Sequence, residues 1–153
     1  MKRHDSLVIL SREHHFGLLF CWKIRQGIQK QVAADRILSY VKYFWENNLK
    51  KHFEEEETIL FAAMRDKLVD QAISEHRHIE HLIEMTMKAE ATDTAHLNRL
   101  VDAVDDHVRF EERVLFPHME KELPADKLVA VGEQLKQLHQ EPLKDDYEDE
   151  FWK

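Results

Sequence analysis

The chain has 153 residues and a formal net charge of −8, which argues against a nucleic-acid binder because a phosphate backbone selects clustered Lys and Arg. This length suits one domain with a substantial core, and three Gly and three Pro are few for a protein of many turns, so long helices are expected. The lone Cys21 excludes an intramolecular disulfide, a zinc site built from thiolates and an iron–sulfur cluster.

Four long segments have apolar residues at spacings of three and four, which predicts amphipathic helices. The segments run over about 6–30, 33–64, 67–89 and from 92 or 93 towards 116. Thr92 and Asp93 are suitable N-caps for the fourth helix. Pro117 is expected to kink or stop that helix, and Pro124 suits the first turn of a shorter helix over residues 125–138.

Short joints between long amphipathic helices favour antiparallel neighbours. We therefore predict an all-α fold, an up-down-up-down four-helix bundle with a short C-terminal helix, over residues 1–140. A coiled coil is the alternative. Residues 141–153 form a predicted acidic tail whose charged part is expected to fray, while Phe151 and Trp152 leave open a docked end or a contact with a partner.

The sequence also bears on membranes and location. No stretch approaches the ~20 apolar residues that a membrane helix needs, and the apolar run at residues 7–10 is too short for a signal peptide. We therefore expect a cytoplasmic protein that does not contact a membrane. Its oligomeric state stays open, a homodimer included.

Each predicted helix carries ionisable residues in the middle of its apolar stripe, where a core admits them only if they are paired or bound to metal. These residues are His14, His52 with Glu56, His76 with Glu80, and His107 with Glu111. An i to i+4 step turns about 40° around a helix, so each such His and Glu share a face. Four helices facing inward would bring them together, and mixed nitrogen and oxygen ligation suits iron, manganese or zinc. A lone buried His is more often a hydrogen-bonded core residue, but four at matching depths favour a metal site.

The sequence repeats itself. A Glu-His pair on one helix is followed, on the next, by the pattern His-x3-Glu-Glu-x2-Leu-Phe. The first copy begins at Glu13 and at His52, and the second begins at Glu75 and at His107. We interpret the copies as two halves of a pseudo-twofold bundle that supply similar ligands to a dinuclear site on the axis.

These paired segments resemble the hemerythrin-like (HHE cation-binding) family over about residues 7–122. The resemblance implies a four-helix bundle around a non-haem di-iron centre, in which His residues are terminal ligands and carboxylates bridge the two ions. On the matching positions it implies terminal ligands at His14, His52, His76 and His107. It implies bridges at Glu56 and Glu111.

Two positions depart from the pattern of invertebrate hemerythrins. Those proteins have a second His four residues after the third-helix ligand, where this chain has Glu80, which we include among the metal ligands. A carboxylate there is a harder donor that stabilises Fe(III), so it disfavours reversible oxygen carriage. Invertebrate hemerythrins also place the last carboxylate ligand five residues after the fourth-helix His, a position that corresponds to Glu112 here. The apolar stripe of this chain favours Glu111 as the ligand instead.

The alternatives at these positions stay open. A five-residue step turns about 140° away from the first residue, so Glu57 and Glu112 are expected to face away from the centre. Glu55 is also expected to be solvated. His15 could replace His14 as the ligand on the first helix.

The resemblance implies a metal-binding protein, more a binder than an enzyme, that holds two non-haem iron ions, with manganese or zinc as other candidates. Its partner would be a small diatomic ligand, O2 or NO, or iron itself. The alternative is a di-iron enzyme acting on peroxide or nitric oxide, or in iron–sulfur cluster repair. Repair proteins of this family carry an extra N-terminal segment with paired cysteines, whereas this sequence begins almost directly with the first helix. A third hypothesis is a structural helical module without metal.

Overall fold

The fold is all-α, with no strand in the part of the chain that the computed structural model describes, residues 2–89, 94–141 and 144–153. A 3₁₀ turn, Asp5–Leu7, precedes the first helix. The α-helices are α1 (Val8–Gln29), α2 (Ala34–Phe44), α3 (Lys50–Glu55), α4 (Lys67–Lys88), α5 (Ala95–Phe110), α6 (Phe116–Glu122) and α7 (Ala125–Leu138). The predicted caps Thr92 and Asp93 lie outside the described residues.

Several of these α-helices join end to end through π-helical turns. One turn, Trp45–Leu49, joins α2 to α3, and a second, Glu56–Leu60, extends α3. A third, Glu111–Leu115, joins α5 to α6. The chain therefore forms four long helical segments that pack antiparallel as a bundle, followed by the short helix α7, which confirms the predicted fold class.

The fourth segment does not stop at Pro117. It continues to Glu122, with Pro117 as the second residue of α6, directly after a π-helical turn. Proline has no N–H to donate, and a π-type bond from this position would reach the carbonyl of Glu112. Nη2 of Arg3 donates a hydrogen bond to that carbonyl at 2.8 Å instead, so the carbonyl has a partner although the proline cannot donate.

Two apolar clusters fill the bundle, one on each side of a polar layer. The first cluster includes Phe20, Phe44 and Val104, and the second includes Leu10 and Phe116. In every long segment the predicted metal-binding residues, apart from Glu80, lie between positions of one cluster and positions of the other. The polar layer is thus enclosed along the bundle axis by tightly buried hydrocarbon.

The end of the chain is docked onto the bundle. Phe151 and Trp152 are buried, and Nζ of Lys23 lies 3.0 Å from a carboxylate oxygen of Asp145 and 4.1 Å from the centre of the Trp152 ring. Tyr40 donates a hydrogen bond to the same carboxylate at 2.5 Å. The acidic run therefore pairs with α1 and α2 and does not fray. None of the described helices is both long and apolar enough to cross a membrane.

Candidate metal centre

Six of the seven residues predicted to bind metal converge in the polar layer. Each long segment contributes at least one of them, and none has more than 5% of its surface exposed. They are His14 on α1, His52 on α3, His76 on α4, His107 on α5, and Glu56 and Glu111, which begin two of the π-helical turns.

The converging side chains form two overlapping groups. In each group, one ligand atom from each of four residues lies within 4.8 Å of the others. His14 and His52 belong to one group and His76 and His107 to the other, while Glu56 and Glu111 belong to both. Each half of the sequence repeat therefore supplies the two imidazoles of one group, and both halves supply a shared carboxylate.

All four imidazoles direct Nε2 at the shared carboxylates. Nε2 of His14 lies 2.7 Å from Glu111 Oε1, and Nε2 of His76 lies 3.0 Å from Glu56 Oε1. The Nε2 atoms of His52 and His107 lie 3.3 Å and 3.4 Å from the carboxylates four residues later on their own helices. The i to i+4 spacing thus places His and Glu on one face, as the periodicity predicts.

The centre contains buried polar atoms that have no hydrogen-bond partner among the described residues. They are Nε2 of His52, His76 and His107, both oxygens of Glu56, and Oε2 of Glu111. Buried polar atoms are normally satisfied, because leaving one without a partner costs free energy. Two cations in the centre would satisfy them, and the mixture of imidazole nitrogen and carboxylate oxygen suits iron, manganese or zinc. The residues therefore fit a dinuclear metal site.

A second carboxylate stands behind each imidazole. The four Nδ1 atoms each lie 2.7 Å from a glutamate oxygen, in the pairs His14–Glu112, His52–Glu13, His76–Glu57 and His107–Glu75. A carboxylate that accepts a hydrogen bond from Nδ1–H fixes the imidazole tautomer and orientation, and it leaves the Nε2 lone pair free for a metal. These outer carboxylates orient the four imidazoles towards the shared pair.

The outer carboxylates follow the sequence repeat. In each half, the Glu that precedes the first His orients the second His of the same half. The Glu that follows the shared carboxylate orients the first His of the other half, so Glu57 contacts His76 and Glu112 contacts His14. The repeated Glu-His and Glu-Glu pairs are therefore the sequence signal for these outer carboxylates.

Neither Glu57 nor Glu112 belongs to the two groups of candidate ligands, as the five-residue step predicts, but neither side chain is simply solvated. Both are half-buried, and both contact an imidazole on another helix. Their carboxylates reach Nδ1 of that imidazole and not the Nε2 atom, which is directed at the shared carboxylates. Glu55, expected to be solvated, is 4% exposed.

Glu80 lies outside the two groups. Both of its carboxylate oxygens accept hydrogen bonds from Arg77 at 2.6 Å, and 32% of its side chain is exposed. The four-residue step from His76 places it at the edge of the buried stripe, where the guanidinium of Arg77 reaches it. Of the alternatives left open by the sequence, His14 lies in the centre, whereas His15 is exposed beside Phe16.

The imidazoles and carboxylates of the centre shift one another's pKa in opposite directions. Burial lowers the pKa of His14 and of His76, but the carboxylates around each imidazole, Glu111 among them, raise it well above its usual value. Burial also lowers the pKa of His52, and the charge of Glu56 raises it, with a net value of about 9. Burial raises the pKa of Glu111, yet His107 and the other imidazoles hold it well below its usual value. Protons thus stabilise this arrangement where metal ions are lacking.

A small cavity adjoins the centre. It is lined by Gly17, Leu49, Val104 and Val108 and by three of the four imidazoles, and its volume of about 10 Å³ has room for about one water molecule. Its exposed lining is mostly hydrocarbon. A Cβ on Gly17 would lie 3.5 Å from Cγ2 of Val108, so the missing side chain is part of what keeps this space open.

Comparisons of the chain with protein-family models, with curated proteins and with solved structures found no match. What the protein does must therefore be inferred from the chemistry of its buried centre. Two features bear on it most directly: the paired groups of ligand atoms, and the small cavity lined by imidazoles of both groups.

Proposed function

We propose that the protein is hemerythrin-like and holds two non-haem iron ions, which it uses to bind or sense a diatomic ligand, O2 or NO. The observation that carries this proposal is the pair of overlapping four-residue groups. Three of their four imidazole Nε2 atoms and three of their four shared carboxylate oxygens have no hydrogen-bond partner in the described part of the chain. Bound ferrous ions would supply the electrons and the open coordination positions that such a ligand requires.

The residues of the chain have separate roles in this proposal. His14 and His52 would be the terminal ligands of one ion and His76 and His107 those of the other. The shared carboxylates would bridge the ions, and their negative charge would offset the repulsion between two cations. The outer carboxylates would keep each Nε2 directed at its ion.

The cavity supports a diatomic ligand over a larger substrate. Its volume of about 10 Å³ leaves no space for an organic molecule, and the exposed part of its lining, which is mostly hydrocarbon, suits an uncharged ligand of low polarity. Gly17, Val104 and Val108 would exclude bulk water from the ligand. This favours a binding or sensing role over an enzyme that turns over a larger substrate.

The test is the iron content of untagged protein prepared with iron available. We expect one iron ion for each of the two groups. Glu56→Ala and Glu111→Ala should each lose both ions, because each carboxylate belongs to both groups. His76→Ala should weaken mainly one ion. Glu80→Ala is the matched control and should keep full occupancy, since its carboxylate lies outside the groups.

A content of one ion, or occupancy by zinc alone under iron-replete conditions, would contradict the di-iron proposal. Loss of iron in Glu80→Ala equal to that in Glu111→Ala would contradict the ligand assignment. Reduced, loaded protein should then bind O2 or NO with an optical change. Sustained turnover of peroxide or NO would instead favour the enzyme.

A further inference from the structure

A third group of ligating side chains lies beside the centre. It consists of Glu13, Glu55 and His139, and one ligand atom of each residue lies within 4.8 Å of a ligand atom of the other two. Both carboxylates are buried, while His139 follows α7 with 9% of its side chain exposed. Nδ1 of His139 lies 3.4 Å from Glu13 Oε2, and its Nε2 contacts Glu55 Oε2.

One buried carboxylate oxygen of this group has no hydrogen-bond partner among the described residues. Oε1 of Glu55 is buried and accepts no hydrogen bond from any residue in the described ranges, and the nearest cation is Nζ of Lys51 at 3.8 Å. A buried carboxylate oxygen without a partner is costly. A bound cation would remove that cost, because it would contact two carboxylates and one imidazole at once.

The group also has access to solvent. An outer cavity of about 370 Å³, lined by Arg12, Phe16, Glu141 and others, includes Glu13 and His139 in its wall. Glu13 also lines the small inner cavity next to the candidate metal centre, and its Oε1 lies 2.7 Å from Nδ1 of His52. The carboxylate of Glu13 thus separates the outer cavity from the inner one and contacts a residue on each side.

We infer that Glu13, Glu55 and His139 form an entry site that holds a divalent cation on its way to the buried centre. Two carboxylates and one imidazole suit Fe²⁺, Mn²⁺, Co²⁺ or Zn²⁺. With three protein ligands and an opening to solvent, this site should bind more weakly and exchange faster than the centre. The cation site itself is independent of the proposed function, and only its role as an entry rests on it.

The first experiment counts bound cations. Untagged apo-protein is dialysed against increasing Co²⁺ without oxygen, and bound cobalt is measured per chain. At saturation we expect one cation for each of the three groups. His139→Ala and Glu55→Gln should each bind one fewer, with the weakest and fastest-exchanging cation lost.

The matched control is His118→Ala. His118 is also partly exposed and also pairs with a carboxylate, that of Asp66 at 2.6 Å, but it belongs to none of the three groups. This variant should bind as many cations as the wild type. If His139→Ala and Glu55→Gln both bind as many cations as His118→Ala, the entry site does not exist.

The second experiment measures how fast the centre fills. After rapid mixing with Co²⁺, the absorbance of the buried cobalt should reach the same final value in Glu55→Gln as in His118→Ala. The rate of filling should be about tenfold lower in Glu55→Gln. A charged site that concentrates counter-ions raises association rates by about 10- to 1000-fold, and we expect the lower end of that range. Equal rates in the two variants would overturn the role as an entry, even where the cation count supports a site.

A third arm separates this inference from the proposed function. The variant His76→Ala/His107→Ala lacks two ligands of the centre and none of the entry site. It should still bind a weakly held Co²⁺ that disappears when His139→Ala is added. Retention of that cation after His139→Ala would overturn the inference. Failure of the wild type to bind iron at the centre would overturn the proposed function, and with it the role as an entry, but not the cation site.

Discussion

Each imidazole of the centre lies between two carboxylates, one shared and one outer. Removing an outer carboxylate leaves its His with no charged acceptor for Nδ1–H, so the imidazole loses basicity and a fixed orientation. We expect Glu112→Gln to weaken the ion near His14, and Glu57→Gln the ion near His76, each by about 10- to 100-fold. Competition with a chelator measures both affinities.

Glu54→Gln is the control for these two variants. Glu54 is exposed on the same helical segment as Glu57, and its backbone carbonyl rather than its carboxylate accepts a hydrogen bond from Thr58. Iron affinities of Glu57→Gln and Glu112→Gln that equal the affinity of Glu54→Gln would show that the outer carboxylates do not tune the centre.

A substitution at Gly17 should change the access of a ligand to the centre without lowering the stability of the fold. Its added Cβ would make an ordinary contact with Val108, and Ala is favoured over Gly inside a helix by about 1 kcal/mol, so Gly17→Ala should not lower the melting temperature. The new methyl group would nevertheless occupy the small cavity. We expect unchanged iron content and slower binding of NO to the reduced protein, measured by stopped-flow absorbance. Unchanged NO kinetics would mean that the ligand does not use this cavity.

Helical periodicity was enough to predict the four long segments and the six converging residues. Apolar stripes with His and Glu at matching depths identify an inward face because α-helical geometry is regular. The π-helical turns could not be predicted, since nothing in the side-chain pattern marks a change from i−4 to i−5 hydrogen bonding. The contacts of Glu57 and Glu112 could not be predicted either, because periodicity along one helix does not say which side chain of another helix a position meets. Periodicity also does not predict the contact of Glu80 with Arg77 or that of His139 with Glu55, and these contacts determine where the two side chains lie.

The docked tail is an element whose contribution can be isolated. Phe151 is 3% exposed and fits against Gly27, where even a Cβ would lie 2.8 Å from its ring. Phe151→Ala should lower the free energy of unfolding by about 3 to 5 kcal/mol, as for other buried aromatic residues. Iron content should not change, because no described residue of the tail belongs to the groups that form the centre. Urea unfolding of the loaded protein measures the effect, and a loss below about 1 kcal/mol would mean that the tail is not docked in solution.

For the whole molecule, the pKa shifts predict how stability depends on pH. His52 has a pKa of about 9 in the folded protein without metal, against a usual 6.5. Its contribution to stability is fully present below about pH 6.5 and is lost as the pH rises to about 9. Glu111, whose pKa is lowered, contributes above its usual 4.5 and loses that contribution as the pH falls.

Metal and protons compete for these imidazoles, because a metal ligand must be deprotonated. The difference in melting temperature between loaded and metal-free protein should therefore increase from about pH 6.5 to pH 9. Thermal melts of both forms at several pH values measure it. A difference that stays constant or shrinks over this range would contradict the assignment of His52 as a ligand.

The crossed pairs Glu57–His76 and Glu112–His14 bear on how such a bundle can arise. One helical hairpin with the pattern Glu-His and His-x3-Glu-Glu lacks half of the centre, but an identical copy related by a twofold axis supplies the missing half. Twofold self-association is the commonest form of protein oligomer. A hairpin that dimerised around two metal ions would have had a complete centre before duplication and fusion joined its copies. A synthetic hairpin spanning residues 67–122 should accordingly dimerise when cobalt is added, and one that stays monomeric would exclude this origin.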